Sequence, residues 1–447
     1  MQTISSRPFS DRALIRLLIP LVMEQLLSLT VGLVDTVMVS NLGEAVVSSV
    51  SLVDTVNVLL VNLFTALASG GAIVTGQYLG SRVLDRAQRS AEQLLLFLGA
   101  VSLVVTAMMY ALRYFVIHVL FGAVAADVAA QAEVYFNIVE LSIPFLGIYS
   151  AGAALFRVMG DSRTSMRISL VMNLINIGGN AFLIFVAKWG VSGVAVPTLA
   201  SRVFAAAAVL WLLRKETLPI HLSRSFRLAW DRQTVGQIVR FGVPNGIDGS
   251  FFQLGKILLL SVAAQFGTTA ITANSVANAI CSFHCMPGMA VGVAMVTVVS
   301  QCAGRKDFED VRYYTRRLLL WCYVLMGVFN LAMLAAGPAI LGLYAVSEQT
   351  FALANRISFL HGVMCMILWS PSFALPQSLR ACGDTRFVML VSVGSMWTFR
   401  LILGTLLATR GGFGVEGIWF AMYADWLCRI TCFLLRWRGG KWKTKAL

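Results

Sequence analysis

Charged residues are scarce in this sequence. They make up 13% of its 447 residues, whereas hydrophobic types make up 58% and the mean hydropathy is +0.79. A soluble domain usually carries about a quarter charged residues, so a soluble fold is excluded. Apolar runs of about 20 residues recur along the whole length, and each can cross a bilayer as a helix. The sequence therefore predicts an all-α polytopic membrane protein.

Other missing features exclude classes of function. There is no GxxxxGK[ST] phosphate-binding loop and no sizeable soluble domain, so we expect an ion gradient, not ATP hydrolysis, to supply energy. His118, His284 and His361 are scattered among the apolar runs without a clustered catalytic set, which argues against a membrane enzyme. We therefore predict a protein that is not an enzyme and needs no cofactor.

Cysteine is absent from the first half, and all eight cysteines lie from Cys281 onward. Cys281 and Cys285 flank His284, and Cys428 and Cys432 are four residues apart, which are helical spacings that can bind a metal. Cysteine is also a small apolar residue that packs between helices, and we favour this interpretation. No disulfide framework is implied.

The net charge of +14 could indicate nucleic acid as a partner. However, most Lys and Arg residues fall at the termini and in alternate loops, and the opposite loops hold only Arg113, Lys188, Arg356 and Arg410. This is the positive-inside pattern. It predicts a multi-pass protein of the plasma (bacterial inner) membrane with both termini in the cytoplasm, an even number of spans and no nucleic-acid partner.

The chain also repeats itself at a shift of about 224 residues. The matched loops are basic in both copies, so both copies enter the membrane in the same direction, and each copy needs an even number of spans. We predict two pseudosymmetric, parallel six-helix bundles: an N-terminal lobe at 1–213, a cytoplasmic linker at 214–234 and a C-terminal lobe at 235–447. Aligned positions include Pro20 with Pro244, Gly43 with Gly267, Gln77 with Gln301 and Gly80 with Gly304. The twelve predicted spans are roughly 13–40, 46–79, 91–113, 130–156, 164–187, 191–213, 235–264, 268–300, 311–336, 351–379, 386–409 and 414–437.

The first lobe places polar residues inside predicted spans. Glu24 and Asp35 lie eleven residues apart, which puts them within about 20° of one helix face. A charged side chain at the bilayer centre costs roughly 2.5–3.5 kcal/mol, so we expect these acids to face the interior, where they can carry a proton or bind a dehydrated cation. Asn173, Asn176 and Asn180 share a face of the fifth span; their amides could coordinate a cation or could join helices.

The second lobe differs in charge. Asp248 is the counterpart of Glu24, but Leu259 stands opposite Asp35 and Arg400 opposite Asn176. We predict a charge network that joins Arg400 with Asp425 and includes the further span residues Arg429 and Lys256. Arg202 is the one span cation of the first lobe, which is therefore the better lobe for a cation.

The segments "PLVMEQLLSLTVGLVDTVMVSNLGEAVVSSVSLVD" and "FGVPNGIDGSFFQLGKILLLSVAAQFGTTAITANSVAN" resemble the openings of the two lobes of multidrug and toxic compound extrusion (MATE) transporters. The resemblance covers nearly the whole chain, and "VDTVMVS" is its most specific part. It implies a V-shaped pair of lobes and a multidrug efflux antiporter that exports amphiphilic, often cationic organic compounds in exchange for H⁺ or Na⁺. The sequence resembles the branch named after the DNA-damage-inducible protein F more than the branch with a second-lobe acidic cluster.

The resemblance also implies the coupling-cation site. The family's first-helix aspartate matches Asp35, its fifth-helix asparagine matches Asn176 and its sixth-helix threonine matches Thr198. Asn180 stands where the family has a second acid, so one formal charge is missing for balancing Na⁺. Apart from such an ion at Asp35, no metal is predicted.

Substrate binding or proton relay is predicted for a second set of residues: Glu24, Asp248, Gln253 and Asn57. Gln253 stands where the branch with a second-lobe acidic cluster has a glutamate. The expected partners are small organic substrates and membrane lipids, and we expect a monomer.

Two other transporter types fit parts of the pattern. A flippase for lipid-linked oligosaccharides or lipids has a related architecture and should have a cationic cavity, for which Arg202, Lys256 and Arg400 are candidates. A major-facilitator-type carrier also has two parallel halves, but "GSRVLDRAQR" lacks the glycine and the spacing of that family's loop.

Overall fold

The computed structural model describes residues 7–120, 125–223, 229–344 and 346–447. In these ranges the chain is helical and contains no strand, as predicted. Eleven helices are long and apolar enough to cross a membrane, and a pair bent by 44° brings the number to twelve if the pair is one span. Residues 1–6 of the predicted basic N-terminus and residues 224–228 of the predicted linker lie outside the described residues.

We label the twelve spans α1 to α12 in chain order. They are α1 Asp11–Ser40, α2 Glu44–Gly80, α3 Leu84–Ala111, α4 the bent pair Ala126–Glu140 and Ile143–Val158, α5 Ser162–Val186, α6 Ser192–Leu213, α7 Arg232–Ala264, α8 Thr268–Gly304, α9 Phe308–Gly342, α10 Glu348–Ala381, α11 Thr385–Thr409 and α12 Val415–Arg438. Each begins and ends within a few residues of its predicted bounds, except that α3 begins earlier, at Leu84, and α9 extends to Gly342.

The internal repeat is visible in the backbone. Gly43 and Gly267 precede α2 and α8 with φ of 96° and 88°. The non-glycine residues Arg82 and Lys306, after α2 and α8, have φ of 61° and 58°. Positive φ is uncommon outside glycine, so the same rare conformation at equivalent positions indicates that the two copies use the same turns.

The start of α5 shows how one such turn is built. Gly160, with φ of 86°, reverses the chain. Asp161 then caps the helix, accepting hydrogen bonds from the Thr164 amide at 3.2 Å and from the Thr164 hydroxyl at 2.6 Å. An N-cap of this type satisfies an otherwise unpaired backbone N–H. In the second copy Gly383 has φ of 90°, and Asp384 forms a bidentate ion pair with Arg436 instead.

The chain forms two compact units. One contains the residues up to Gln25 together with Ile247–Leu447, and the other is Leu26–Gly246. The unit boundaries fall within α1 and α7, shortly after their prolines Pro20 and Pro244. The lobe boundaries predicted from the sequence stay a prediction.

Each unit has its own apolar core. In the unit Leu26–Gly246 it is built from α2 to α6, with Phe64 and Phe136 fully buried. In the other unit α8 is the most enclosed helix and packs against α9 and α10. Apolar side chains that remain exposed, such as Val37, Val104 and Leu331, lie on the spans, where lipid can cover them.

π-helical segments interrupt α10 at Cys365–Ala374 and α11 at Met396–Leu403, and another, Phe182–Val186, ends α5. The segment in α10 contains Pro371, which cannot donate a backbone hydrogen bond. Such widened turns are rare and often mark functional sites.

Candidate functional site

The unit Leu26–Gly246 brings together the four residues of the predicted cation site. Asp35 of α1 accepts a hydrogen bond at 3.0 Å from the Asn180 amide of α5. One turn earlier, Asn176 lies beside both Asp35 and Thr198 of α6. With its nitrogen towards Asp35, the Asn176 amide donates to the two carboxylate oxygens at 3.2 and 3.1 Å, and its oxygen accepts from Thr198 Oγ1 at 3.2 Å.

Local structure explains this convergence. A spacing of four residues places Asn176 and Asn180 on one face of α5, and both are buried, with 8% and 1% of their surface exposed. On α6 the Thr198 hydroxyl oxygen also lies 3.0 Å from the Val194 carbonyl oxygen one turn earlier, which is an alternative acceptor for its single proton. Asn173 of the same predicted stripe is only half-buried.

The site has one acceptor left over. The side-chain oxygen of Asn180 is buried and has no hydrogen-bond partner among the described residues. A buried unpaired oxygen costs about 1–3 kcal/mol. Amide and carboxylate oxygens are ligands suited to a hard cation.

A second acid, Asp54 of α2, lies within electrostatic range of Asp35. It accepts a hydrogen bond at 3.1 Å from the hydroxyl of Tyr135, which is buried in α4. Neither residue was singled out from the sequence. Asp54 could have been found from the sequence, because it is an acid within an apolar run and lies three residues before Asn57, a predicted relay residue.

Arg202 of α6 links this group to the bend of α4. Its guanidinium donates to Asn57 Oδ1 at 3.1 Å and to the Ser142 hydroxyl at 2.7 Å. Glu140, which is fully buried at the end of the first α4 segment, lies within electrostatic range of Arg202. Both Glu140 carboxylate oxygens lack a hydrogen-bond partner in the described part of the chain.

The remaining predicted residues lie in the other unit. Asp248 forms an ion pair with Arg380 of α10, a partner that the sequence did not indicate. Both line a cavity of about 210 Å³ together with Phe252, Gln377 and Arg429. Glu24 is buried in α1, and Gln253 is half-buried in α7.

The predicted charge network is only partly assembled by direct contacts. Asp425 and Arg429 form a buried ion pair on one turn of α12 at 2.9 Å. Arg400 instead contacts Met422 Sδ at 3.0 Å and lies 5.3 Å from the centre of the Phe252 ring. Lys256 is exposed on α7. A functional network between Arg400 and Asp425 stays a prediction.

Comparison with known proteins agrees with this architecture. The MatE family model matches residues 20–182 and again 244–406, two stretches that begin 224 residues apart, as the internal repeat does. The uncharacterized transporter YisQ of Bacillus subtilis is 24% identical over 96% of this chain and 94% of its own length. The probable multidrug resistance protein NorM of Thermotoga maritima is also 24% identical, over 98% and 95%.

Solved structures show the same fold. An outward-facing multidrug resistance MATE family transporter of the MOP superfamily superposes with a TM-score of 0.89 at 19% identity, covering 97% of this chain and 96% of that one. A MOP superfamily transporter from Pyrococcus furiosus, for which reverse polarity of the binding pocket suggests a different function, has a TM-score of 0.84 at 19% identity, with 97% and 96% coverage. The family match covers most of the sequence, including both copies of the repeat, and the chain therefore belongs to the MATE family of membrane transporters.

Proposed function

We propose that this protein is a secondary active multidrug efflux antiporter. In this proposal it exports amphiphilic cationic organic compounds in exchange for H⁺ or Na⁺, by alternating access of its two lobes. The names of the relatives support the substrate class, since several are probable multidrug resistance proteins. The observation that carries the proposal is the position of Asp35, held by amides inside an apolar unit.

Asp35 can exchange its hydrogen-bond donors for a cation. In the structure the Asn176 and Asn180 amides donate towards its carboxylate. A proton on Asp35 would neutralise the charge, and Na⁺ would instead require amide oxygens to turn towards the ion. Asn180 has an unpaired oxygen for that role among the described residues. Both ions therefore remain within the proposal.

Asp54, Tyr135, Arg202 and Glu140 extend the proposed site. Buried ionisable residues within a membrane are costly and typically belong to ion or proton pathways. The hydrogen bonds from Tyr135 to Asp54 and from Arg202 to Asn57 form a polar path from α2 to the bend of α4. We assign this path to proton transfer to and from the Asp35 site.

The experiment uses proteoliposomes loaded with a fluorescent organic cation. A pH gradient and a Na⁺ gradient are imposed in turn, with the other ion held constant. We expect one gradient to drive transport in the wild type, and Asp35→Asn to abolish the gradient-driven part because the amide cannot bind the ion. The control is Asp127→Asn, which changes an exposed aspartate in the same unit. Full gradient-driven transport by Asp35→Asn would refute the central role of Asp35.

The alternative, a flippase for lipid-linked oligosaccharides or lipids, would need cations that bind phosphate. Arg400 and Lys256 lie within electrostatic range of each other in one unit, which favours an anionic ligand there. Scrambling of a fluorescent lipid phosphate in the same vesicles, lost in Arg400→Gln, would support this alternative.

We further propose that both termini face the cytoplasm of a bacterial inner membrane. The position of the basic loops supports this orientation. The protein is proposed to act as a monomer in contact with lipid.

A further inference from the structure

Two helices outside the Asp35 site bring cysteine and histidine side chains together. From α8 come Cys281, His284 and Cys285, and from α10 come His361 and Cys365. The sequence placed the first three on one helix, but it gave no sign that a second helix adds an imidazole and a thiol at the same depth. All five lie within the unit that contains Ile247–Leu447.

The ligand atoms form two overlapping groups. Cys281, His284 and His361 make one group, and Cys285, His361 and Cys365 make the other; within each group the ligand atoms lie within 4.8 Å of one another. His361 belongs to both. The groups are well shielded, since His284 and His361 are 1% and 3% exposed and Cys365 is fully buried.

The distances in the second group match the edges of a metal site. Cys285 Sγ lies 3.9 Å from Cys365 Sγ, and Cys365 Sγ lies 3.5 Å from His361 Nδ1. With Zn–S near 2.3 Å and Zn–N near 2.0 Å, a tetrahedral zinc ion requires about 3.8 Å between sulfurs and about 3.5 Å between sulfur and nitrogen. These two edges would need shifts of only a few tenths of an ångström to hold an ion, and the ligand atoms of Cys285 and His361 lie within 4.8 Å of each other.

The imidazole of His284 lies beside that of His361. His284 Nδ1 lies 3.1 Å from His361 Nδ1, near the distance of about 3.3 Å that two nitrogens on one tetrahedral ion would have. Two thiolates and one or two neutral imidazoles leave Zn²⁺ without net charge, which suits an apolar environment. Cu⁺ prefers the same soft ligands.

We propose that Cys285, His361 and Cys365 bind a thiophilic d¹⁰ metal ion, Zn²⁺ or Cu⁺, beside the His284 imidazole. The ion would join α8 to the beginning of the π-helical segment of α10. This site is separate from the proposed coupling-ion site, and the inference does not depend on antiport. Its alternative is a metal-free cluster held by hydrogen bonds between the imidazoles and thiols.

The geometry also provides a spectroscopic signal. The indole rings of Trp419 and Trp426 each lie 5.6 Å from the His361 ring, in edge-on contact. An ion on His361 should change the fluorescence of these tryptophans. Co²⁺ in place of Zn²⁺ should give a thiolate-to-metal charge-transfer band and the visible bands of a tetrahedral ion.

The experiment uses the full-length protein, purified in detergent with reductant and stripped by a chelator. Zn²⁺ is titrated against a chromophoric chelator, and Cu⁺ is titrated anaerobically against a Cu⁺ chelator. We expect one ion per chain and a Co²⁺ charge-transfer band. Cys285→Ser and Cys365→Ser should weaken binding about 100-fold, because each removes one of three or four ligands.

Cys302→Ser is the matched control, since Cys302 is a buried free cysteine on the same helix α8, outside both groups. It should bind metal as the wild type does. If a variant fails to fold, wild-type protein is treated with a thiol-alkylating reagent with and without metal, and bound metal should protect Cys285. Fewer than about 0.1 ions per chain, unchanged affinity in the Cys285 and Cys365 variants, or equal alkylation with and without metal would overturn the proposal.

Discussion

The Asp35 carboxylate accepts a hydrogen bond from Asn180, the residue at the position where the sequence resemblance implies a second acid. Asn180 supplies this bond at 3.0 Å and also keeps an unpaired oxygen among the described residues. A single side chain therefore both orients the acid and offers a further ligand. This makes Asn180 the most informative position at the scale of residues.

With Na⁺ as the coupling ion, Asn180→Ala should raise its half-saturating concentration about tenfold, because the variant loses the unpaired amide oxygen proposed to bind the ion. Ion-dependent efflux from proteoliposomes measures this. Asn173→Ala changes a half-buried asparagine of the same helix and should leave the value unchanged. Equal effects of the two variants would contradict the assigned role.

Asp231 shows a different use of a carboxylate, outside the spans. It precedes α7, accepts a hydrogen bond from the Thr234 hydroxyl at 2.9 Å and pairs with Arg89 at 2.9 Å. Burial raises the pKa of Asp231, but the hydrogen bonds from Thr234 and Gln233 and the Arg89 charge together lower it below its usual value. Because the pKa of Asp231 is lower in the folded than in the unfolded protein, its carboxylate stabilises the fold at pH values above the ordinary aspartate pKa. This stabilisation is lost as the pH falls through the pKa of the folded protein.

Asp231→Ala should therefore lower the free energy of unfolding by about 1 kcal/mol at pH 7 through loss of the helix cap. The difference from the wild type should begin to shrink below about pH 4, where the unfolded chain takes up the proton, and should go on shrinking until the pH passes the lower pKa of the folded carboxylate. Thermal unfolding in detergent at pH 7 and pH 3 measures both values. A difference that stays constant between these pH values would show that the charge of Asp231 does not matter.

The sequence identified Asp35, Asn176, Asn180 and Thr198, and the structure brings these four together. It did not identify Tyr135 or Glu140, because their importance comes from residues far away in the chain. Tyr135 is 81 residues from Asp54, and Glu140 matters because Arg202 lies nearby. Hydrophobic patterning predicts which residues are inside a span, but not which partner each one meets.

At the scale of elements, close helix contacts depend on glycine. A Cβ atom added to Gly70 of α2 would lie 2.3 Å from the backbone of Gly242 in α7. Backbone atoms cannot rotate away as a side chain can, so the two helices would have to separate. Small residues at such crossings let helices in membranes approach closely.

Gly70→Ala should therefore lower the free energy of unfolding by about 3 kcal/mol or more, or prevent folding. Extra methyl groups in a well-packed core typically cost about 1–3 kcal/mol and occasionally more. Gly178→Ala is the control, because its Cβ would meet nothing within 4 Å and alanine favours a helix. The melting temperature of each variant is measured as the temperature at which half of the protein is lost from its size-exclusion peak after heating. Equal melting temperatures would contradict the close approach of α2 and α7.

Span positions were predicted well from the sequence, since an apolar run of about 20 residues has one stable conformation in a bilayer. The 44° bend of α4 and the π-helical segments were not predicted. These features arise where local sequence permits an irregular turn and neighbouring helices select it. Pro371 and Cys365 of α10 carry no pattern that distinguishes such a turn from a regular helix.

At the scale of the whole molecule, the two copies of the repeat share turns but not charges. Gly43 and Gly267 adopt the same conformation, whereas Asp35 has Leu259 as its counterpart. The repeat, the family match and the superposition with solved structures confirm the fold and the family. The branch, the lobe boundaries and the orientation stay predictions.

Reporter fusions test the orientation. Green fluorescent protein fused after Leu447 should fluoresce, and alkaline phosphatase fused there should be inactive, because the basic C-terminus is expected in the cytoplasm. After Lys188, between α5 and α6, the two results should be reversed. Active phosphatase at Leu447 would place the terminus on the outer side and contradict the positive-inside interpretation.

The presence of an amide at Asn180 also has an electrical consequence for the proposed cycle. Among the four residues of the predicted cation site only Asp35 is an acid, so this group holds one negative charge when empty and none after a monovalent ion binds. A membrane potential exerts about 2.3 kcal/mol per elementary charge per 100 mV. Voltage would therefore act on the return of the empty carrier and leave its ion-loaded movement nearly unaffected.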